Sequence, residues 1–165
     1  MQQRIEVVFV SRRNSLRSVL AEACLAHLDS KRFAARSCGQ PGRLAADVHP
    51  AAVEALGSAG IALPTSPPRS WDVLVRAGAP RVDFVITLDP SLEALQPRWP
   101  GQPDAALWPY PDVAGAGTGP DDAAHGAIQV LYSLRRRLEL LINLPLVGAD
   151  RAALRSDIRD MAHMR

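Results

Sequence analysis

The run Ile5-Glu6-Val7-Val8-Phe9-Val10 passes directly into Ser11-Arg12-Arg13-Asn14-Ser15-Leu16 and then into a helical pattern from Arg17. No other feature restricts the fold of this chain as much. A β-branched run of this kind is the pattern of a strand buried on both faces. Joined by a short polar loop to a helix, it opens a strand–helix–strand unit with a right-handed crossover. The loop then lies beyond the carboxyl end of the strand, where open α/β sheets place their ligands. Loop amides and the first helical turn point inward, and the helix dipole adds positive potential. Arg17 can add a bidentate guanidinium. The segment Ser11, Arg12, Arg13, Asn14, Ser15, Leu16, Arg17 and Ser18 therefore reads as an anion-binding loop.

The alternation continues along the chain. Phe33 to Cys38 reads as a second strand, ended by Gly39 and the Pro41-Gly42 turn. Pro50 to Ser58 reads as a helix with proline at its start and Gly60 after its end. A proline-rich loop leads to a short helix from Trp71 to Arg76, and Val82 to Leu88 forms a third strand. Ala105 to Trp108 is a shorter fourth strand, and Pro109 to Pro120 a surface loop. Asp121 and Asp122 open a long helix reaching about Leu144, and Asp150 caps a last one. The expectation is one α/β domain over residues 1–165, three-layered, with a four-stranded parallel sheet and helices on both faces.

Composition removes several function classes. At 165 residues the chain can bury a proper core in one domain. A net charge of +2 is too small to imply nucleic acid. The apolar run near the start is too short for a signal segment or a membrane span, so a cytoplasmic protein without a membrane partner is expected. Two cysteines make no disulfide framework; Cys24 and Cys38 read as core thiols. His27, His49, His125 and His163 are dispersed and imply no metal site, and no cofactor is expected. Arg135-Arg136-Arg137 reads as a solvated helix face with its aliphatic stems on the core edge.

The loop resembles the low-molecular-weight tyrosine phosphatases, and more closely the arsenate reductases built on that fold, whose loop reads approximately V-C-x-G-N-S-x-R-S. Asn14, Ser15, Arg17 and Ser18 match it, with Ser11 in place of Cys and Arg13 in place of Gly. The resemblance extends through Ala21-Glu22-Ala23, Gly60-Ile61, Ser70-Trp71-Asp72 and Asp83-Phe84-Val85-Ile86-Thr87. It continues through Trp99-Pro100-Gly101-Gln102-Pro103 and Trp108 to Asp112, and includes Leu144-Pro145-Leu146 with Asp150-Arg151.

The resemblance implies a low-molecular-weight phosphatase-like fold, a nucleophile position at Ser11, an oxyanion ligand in Arg17 and a general-acid position at Asp112. A cysteine thiolate in such a loop is activated by cations and a helix N-terminus. A serine hydroxyl stays protonated without an adjacent base, and no His or Lys lies near Ser11 in sequence. Two further relay cysteines of the arsenate reductases have no counterpart in Thr87 to Pro97. Arg13 either reshapes the loop, if its position needs φ > 0, or holds anions from outside. The reading is a catalytically degenerate family member that retains a loop for phosphate, arsenate or sulfate, with a phosphorylated protein as a further partner class. Two alternatives stay open: an active phosphatase or arsenate reductase with another nucleophile, and a structural module with a vestigial loop.

Overall fold

Every second residue of β1 (Ile5–Val10) faces one side of a parallel sheet, and the two sides carry two separate cores. The computed structural model describes residues 4–115, 117–144 and 151–164, the last from backbone alone over 151–154. The sheet has the order β2-β1-β3-β4, with β2 at Phe33–Cys38, β3 at Phe84–Thr87 and β4 at Asp104–Leu107. All three pairings are parallel: Val8 lies opposite Arg36 and Val85, and Val85 opposite Ala105.

Val7 and Phe9 join the larger core, which takes in Leu20 and Cys24 of α1 (Arg17–Asp29), Leu56 of α2 (Pro50–Ser58) and Leu134 and Leu138 of α3 (Pro120–Ile142). Ile158 of α4 (Arg151–Asp160) closes it over Trp108, whose indole N–H donates to the Ile158 carbonyl at 2.9 Å. Val8, Val10 and Val85 face the smaller core with Trp71, Leu74, Leu92 and Trp99. The helices on that side are short 3-10 turns at Trp71–Leu74 and Pro90–Leu92. The α/β fold with a four-stranded parallel sheet is thus the one the alternation predicts.

Local chemistry sets the element starts. His49 caps α2 by accepting the Ala51 N–H on Nδ1, and Pro50 occupies the first turn. Pro120, Asp121 and Asp122 fill the first turn of α3, where a missing N–H and negative charge are both favourable.

The structure corrects several expectations. β3 is shorter than Val82 to Leu88, and β4 begins and ends one residue earlier than Ala105 to Trp108. The segment from Trp71 forms a single 3-10 turn to Leu74 instead of a helix to Arg76, with Ser70 accepting the Asp72 N–H. Asp150 and residues 145–149 lie outside the described residues. Arg137 is no solvated residue; it is 6% exposed. It stands seven residues after Val130, three after Leu134 and four before Leu141, on the buried stripe of α3. Among the described residues no helix is long and apolar enough to cross a membrane.

Candidate functional site

The strand order turns in opposite directions on either side of β1, so the crevice of this sheet opens beyond the carboxyl ends of β1 and β3. The segment after β1 is Ser11 to Leu16, and the segment after β3 contains Asp89.

Asn14 shapes the loop. It adopts φ 51°, a left-handed conformation that asparagine tolerates better than most residues. Its Nδ2 donates to Ser18 Oγ at 2.8 Å and to Ser37 Oγ at 2.9 Å, while its Oδ1 accepts the Arg69 N–H at 3.0 Å. The Ser37 hydroxyl in turn donates to Glu22 Oε1 at 2.5 Å. Burial raises the Glu22 carboxyl above the usual range, against the lowering effect of the Ser37 bond and the Arg69 charge.

The loop carbonyls turn outward. Arg12 O accepts from Gln40 N, Arg13 O from Ala45 N and Ser15 O from His49 N, at 2.9 to 3.1 Å. This close lie needs Gly39, where an added Cβ would stand 3.0 Å from both Arg12 O and Asn14 N. The loop amides are left over. Among the described residues none accepts a hydrogen bond from the N–H of Arg12, Arg13, Asn14, Ser15 or Leu16. The N-cap of α1, Leu16, also has no side-chain cap. A run of unpaired amides before a helix is the complement of an oxyanion.

Ser11 sits at the floor, 2% exposed. Its N–H donates to Cys38 O, and its Oγ is 2.6 Å from Ser18 Oγ. Ser18 is fully buried and already accepts from Asn14; Ser11 Oγ is the one acceptor for its proton among the described residues. Either hydroxyl can be the donor in this pair, since both are buried and neither proton has another acceptor among the described residues. No carboxylate or imidazole among the described residues hydrogen-bonds Ser11, so its hydroxyl has no base.

Three arginines and two carboxylates surround the mouth. Arg17, 5% exposed, donates to Asp89 Oδ2 at 2.9 Å and to the Tyr110 carbonyl at 3.1 Å. Asp89 also accepts from the Ser91 N–H at 3.0 Å and Ser91 Oγ at 2.6 Å, with Arg12 Nε 3.9 Å away. Burial disfavours charge on Asp89, but the Ser91 bonds and the Arg17 guanidinium outweigh it and hold its carboxyl below the usual range. Arg12 donates to Ser91 Oγ at 3.0 Å. Arg13 leans across to the far wall, donating to Asp112 Oδ2 at 2.6 Å and to Ala114 O at 3.2 Å.

A cleft of about 430 Å³ is lined by Arg12, Arg17, Asp89, Tyr110 and Asp112, with three prolines between them. A cavity of about 490 Å³ lies at the outer edge of β4, beside Ala105 to Leu107 and His163, and holds none of the loop residues. Convergent amides and charges, not volume, locate the site.

The fold thus assembles Ser11 to Leu16 as a loop, with Arg17 and Ser18 on the first turn of α1, and brings Asp112 to its rim, joined through Arg13. Cys24 and Cys38 are buried free thiols away from the cleft lining. Burial pushes them up to about 11 and about 12, so both are protonated at neutral pH. Among the described residues no group of three or more His, Cys, Asp and Glu is placed to hold a metal. Sequence reasoning missed Asp89, Ser37 and Arg69. Asp89 had a signal: Asp89-Pro90-Ser91 is a turn starter directly after a strand, at the same sheet end as Ser11. Ser37 and Arg69 had none, because their partners are distant in sequence.

Residues 6–99 match the family model described as low molecular weight phosphotyrosine protein phosphatase. The chain belongs to this family. The match includes the loop and Asp89 and ends before Asp112. No curated protein matches the chain. Among solved structures, an arsenate reductase in its phosphate-binding state is 28% identical, with a TM-score of 0.66 over 84% of this chain and 96% of that one. An arsenate reductase from Archaeoglobus fulgidus is 24% identical, with a TM-score of 0.62 over 82% and 98%. The tyrosine phosphatase Wzb from Escherichia coli K30, in complex with sulphate, is 18% identical, with a TM-score of 0.62 over 84% and 99%. The last two share the fold.

Proposed function

We propose that this family member binds a tetrahedral oxyanion in the loop from Ser11 to Arg17 and does not turn it over. In this reading Ser11 stands at the nucleophile position in place of cysteine, Arg17 and the amides of Arg12 to Leu16 hold the anion, and Asp112 keeps the general-acid position without its task. The observation that carries the reading is the row of unpartnered amides set above a serine that no base touches. The amides supply binding; a serine hydroxyl without a base is a weak nucleophile. Cys24 and Cys38, protonated and buried, offer no substitute thiolate or relay. The likeness to an arsenate reductase in a phosphate-binding state supports phosphate or arsenate as the ligand class.

Titration with phosphate, arsenate and sulfate at low salt, read by thermal shift, tests the proposal. Binding stabilises the native state by about 2.7 kcal/mol at one hundred times the dissociation constant. The shift shrinks with salt, because Arg12 and Arg13 are exposed enough to be screened. Aryl phosphate hydrolysis and thiol-coupled arsenate reduction stay at background. No shift with any of the three anions defeats the binding reading; robust turnover that Arg17→Ala abolishes defeats the inactive one.

A further inference from the structure

The outer edge of β4 plays no part in the oxyanion loop. β4 ends the sheet and pairs with β3 alone. The N–H groups of Asp104 and Trp108 donate to Asp83 O and Thr87 O at 3.1 and 2.8 Å. Successive residues of a parallel strand turn their main-chain groups to opposite neighbours, so Ala105 and Leu107 point theirs away from the sheet. Arg159 Nε of α4 donates to Ala105 O at 3.1 Å. Among the described residues the Ala105 N–H and both main-chain groups of Leu107 have no partner. Such an edge is a template for a further chain. α4 lies close to its start, where Arg155, one turn before Arg159, stands 3.3 Å from Asp104 Oδ1. Past Arg159 the edge opens into the cavity of about 490 Å³, with Arg159 and His163 on one side and Glu93 and Gln96, from the segment after β3, on the other. We propose that this edge binds the carboxyl terminus of another polypeptide, extended and antiparallel to β4.

Strand direction follows from the groups left over. Parallel addition needs the Ala105 carbonyl and the Leu107 N–H, and Arg159 already occupies that carbonyl. Antiparallel addition lets one peptide residue exchange both main-chain bonds with Leu107. The peptide then runs toward Ala105, and its end arrives where Arg159 stands. There the terminal carboxylate accepts from the Ala105 N–H and from the two Nη groups of Arg159, which have no hydrogen bond or ion pair among the described residues. Strand addition with capture of a terminal carboxylate combines two known modes of peptide recognition. The mixture of donors and acceptors selects this occupant. A free inorganic anion suits Arg159 and the two N–H groups but meets the Leu107 carbonyl and the Glu93 carboxylate as repulsive neighbours. A chain end brings N–H groups for the acceptors and a carboxylate for the donors. The cavity is walled on both sides, which suits a single strand and not the sheet edge of a second copy of this protein.

The test titrates the isotope-labelled full chain with a library of acetylated tetrapeptides, randomised in sequence and free at the carboxyl end. The same library ending in an amide is the control. The free-carboxyl library is expected to shift the amide resonances of Ala105 and Leu107 and to slow their hydrogen exchange. The amidated library needs a concentration about tenfold higher, the worth of one charge-assisted bond. Arg159→Gln brings the two libraries to equal strength, and Arg159→Lys keeps part of the difference. Unfolding midpoints check that α4 stays packed in both variants, and the comparison of the two libraries on the intact protein stands without them. No shift at Ala105 and Leu107 with millimolar library, or equal shifts with both libraries, overturns the proposal. So do shifts confined to the amides of Arg12 to Leu16, which would place the carboxylate in the oxyanion loop. Shifts at Ala105 and Leu107 that grow with protein concentration in the absence of peptide would put a second copy on this edge and overturn the peptide as its occupant.

Discussion

Two buried arginines meet Tyr110, one at its carbonyl and one at its ring, and their partners differ. Arg17 takes the Tyr110 carbonyl and the Asp89 carboxylate. Arg137 stacks on the Tyr110 ring, 4.9 Å from its centroid, with Trp108 at 5.8 Å. Its Nη2 donates to Met164 O at 3.0 Å and reaches Ala162 O at 3.5 Å, and its Nε and Nη1 have no hydrogen-bond partner among the described residues. No carboxylate pairs with Arg137 among the described residues. One arginine is thus fixed by an opposite charge at the carboxyl end of the sheet; the other is fixed by ring faces and carbonyls where α3 meets the end of the chain. The first arrangement keeps a cation beside a cleft, ready for a second anion. The second uses the guanidinium as a flat, weakly hydrated wedge that ties Met164 to α3.

The largest effect that separates them is on stability. Arg17→Ala leaves Asp89 buried with only Ser91 and the more distant Arg12, and is expected to cost about 3 kcal/mol, the low end for breaking a buried pair. Urea unfolding reads this, and the oxyanion-induced thermal shift disappears in the same variant. A cost under about 1 kcal/mol would mean that Asp89 needs no cation.

Arg137→Ala is expected to cost about 2 kcal/mol, from charge-assisted bonds to carbonyls and ring stacking. Arg137→Met keeps most of the packing and relieves the two unpartnered nitrogens, so it costs less than about 1 kcal/mol. Both variants keep the oxyanion shift. Equal losses for Ala and Met would place the value of Arg137 in its hydrogen bonds instead of its stacking.

The smallest effect is a difference in pH dependence. Asp89 has a folded pKa below its unfolded value. Its contribution is present above the unfolded pKa, about 3.9, and is lost as pH falls through the folded value. The stability gap between the intact protein and Arg17→Ala therefore narrows below about pH 4. The gap for Arg137→Ala stays level over the same range, because no carboxylate among the described residues pairs with that arginine. Denaturant midpoints measured from pH 7 downward decide between the two, and parallel slopes would show that Asp89 is not the group that senses acid.

Legibility followed sequence distance. Ile5 to Val10, the helix from Arg17 and the capped start of α2 could be read from the chain because strand period, helix period and capping act within a few residues. The loop Ser11 to Leu16 could be located for the same reason: it lies between two readable elements. Arg137 was misread because three successive arginines hide a position that helical spacing alone places on the buried stripe with Leu134 and Leu141. Asp89, 72 residues from Arg17, announced itself only as a turn.

The sequence by itself determined the alternation of strands and helices, the place of the loop and the absence of cysteine within it. Those are local matters of residue type and period. The tertiary structure alone decided which partner each arginine meets: Arg17 the carboxylate of Asp89, Arg13 that of Asp112 and Arg137 the ring of Tyr110. It also decided which way the loop amides turn. A charge and an amide act over a few ångströms in space, and the residues they meet are chosen by the order in which the strands lie side by side.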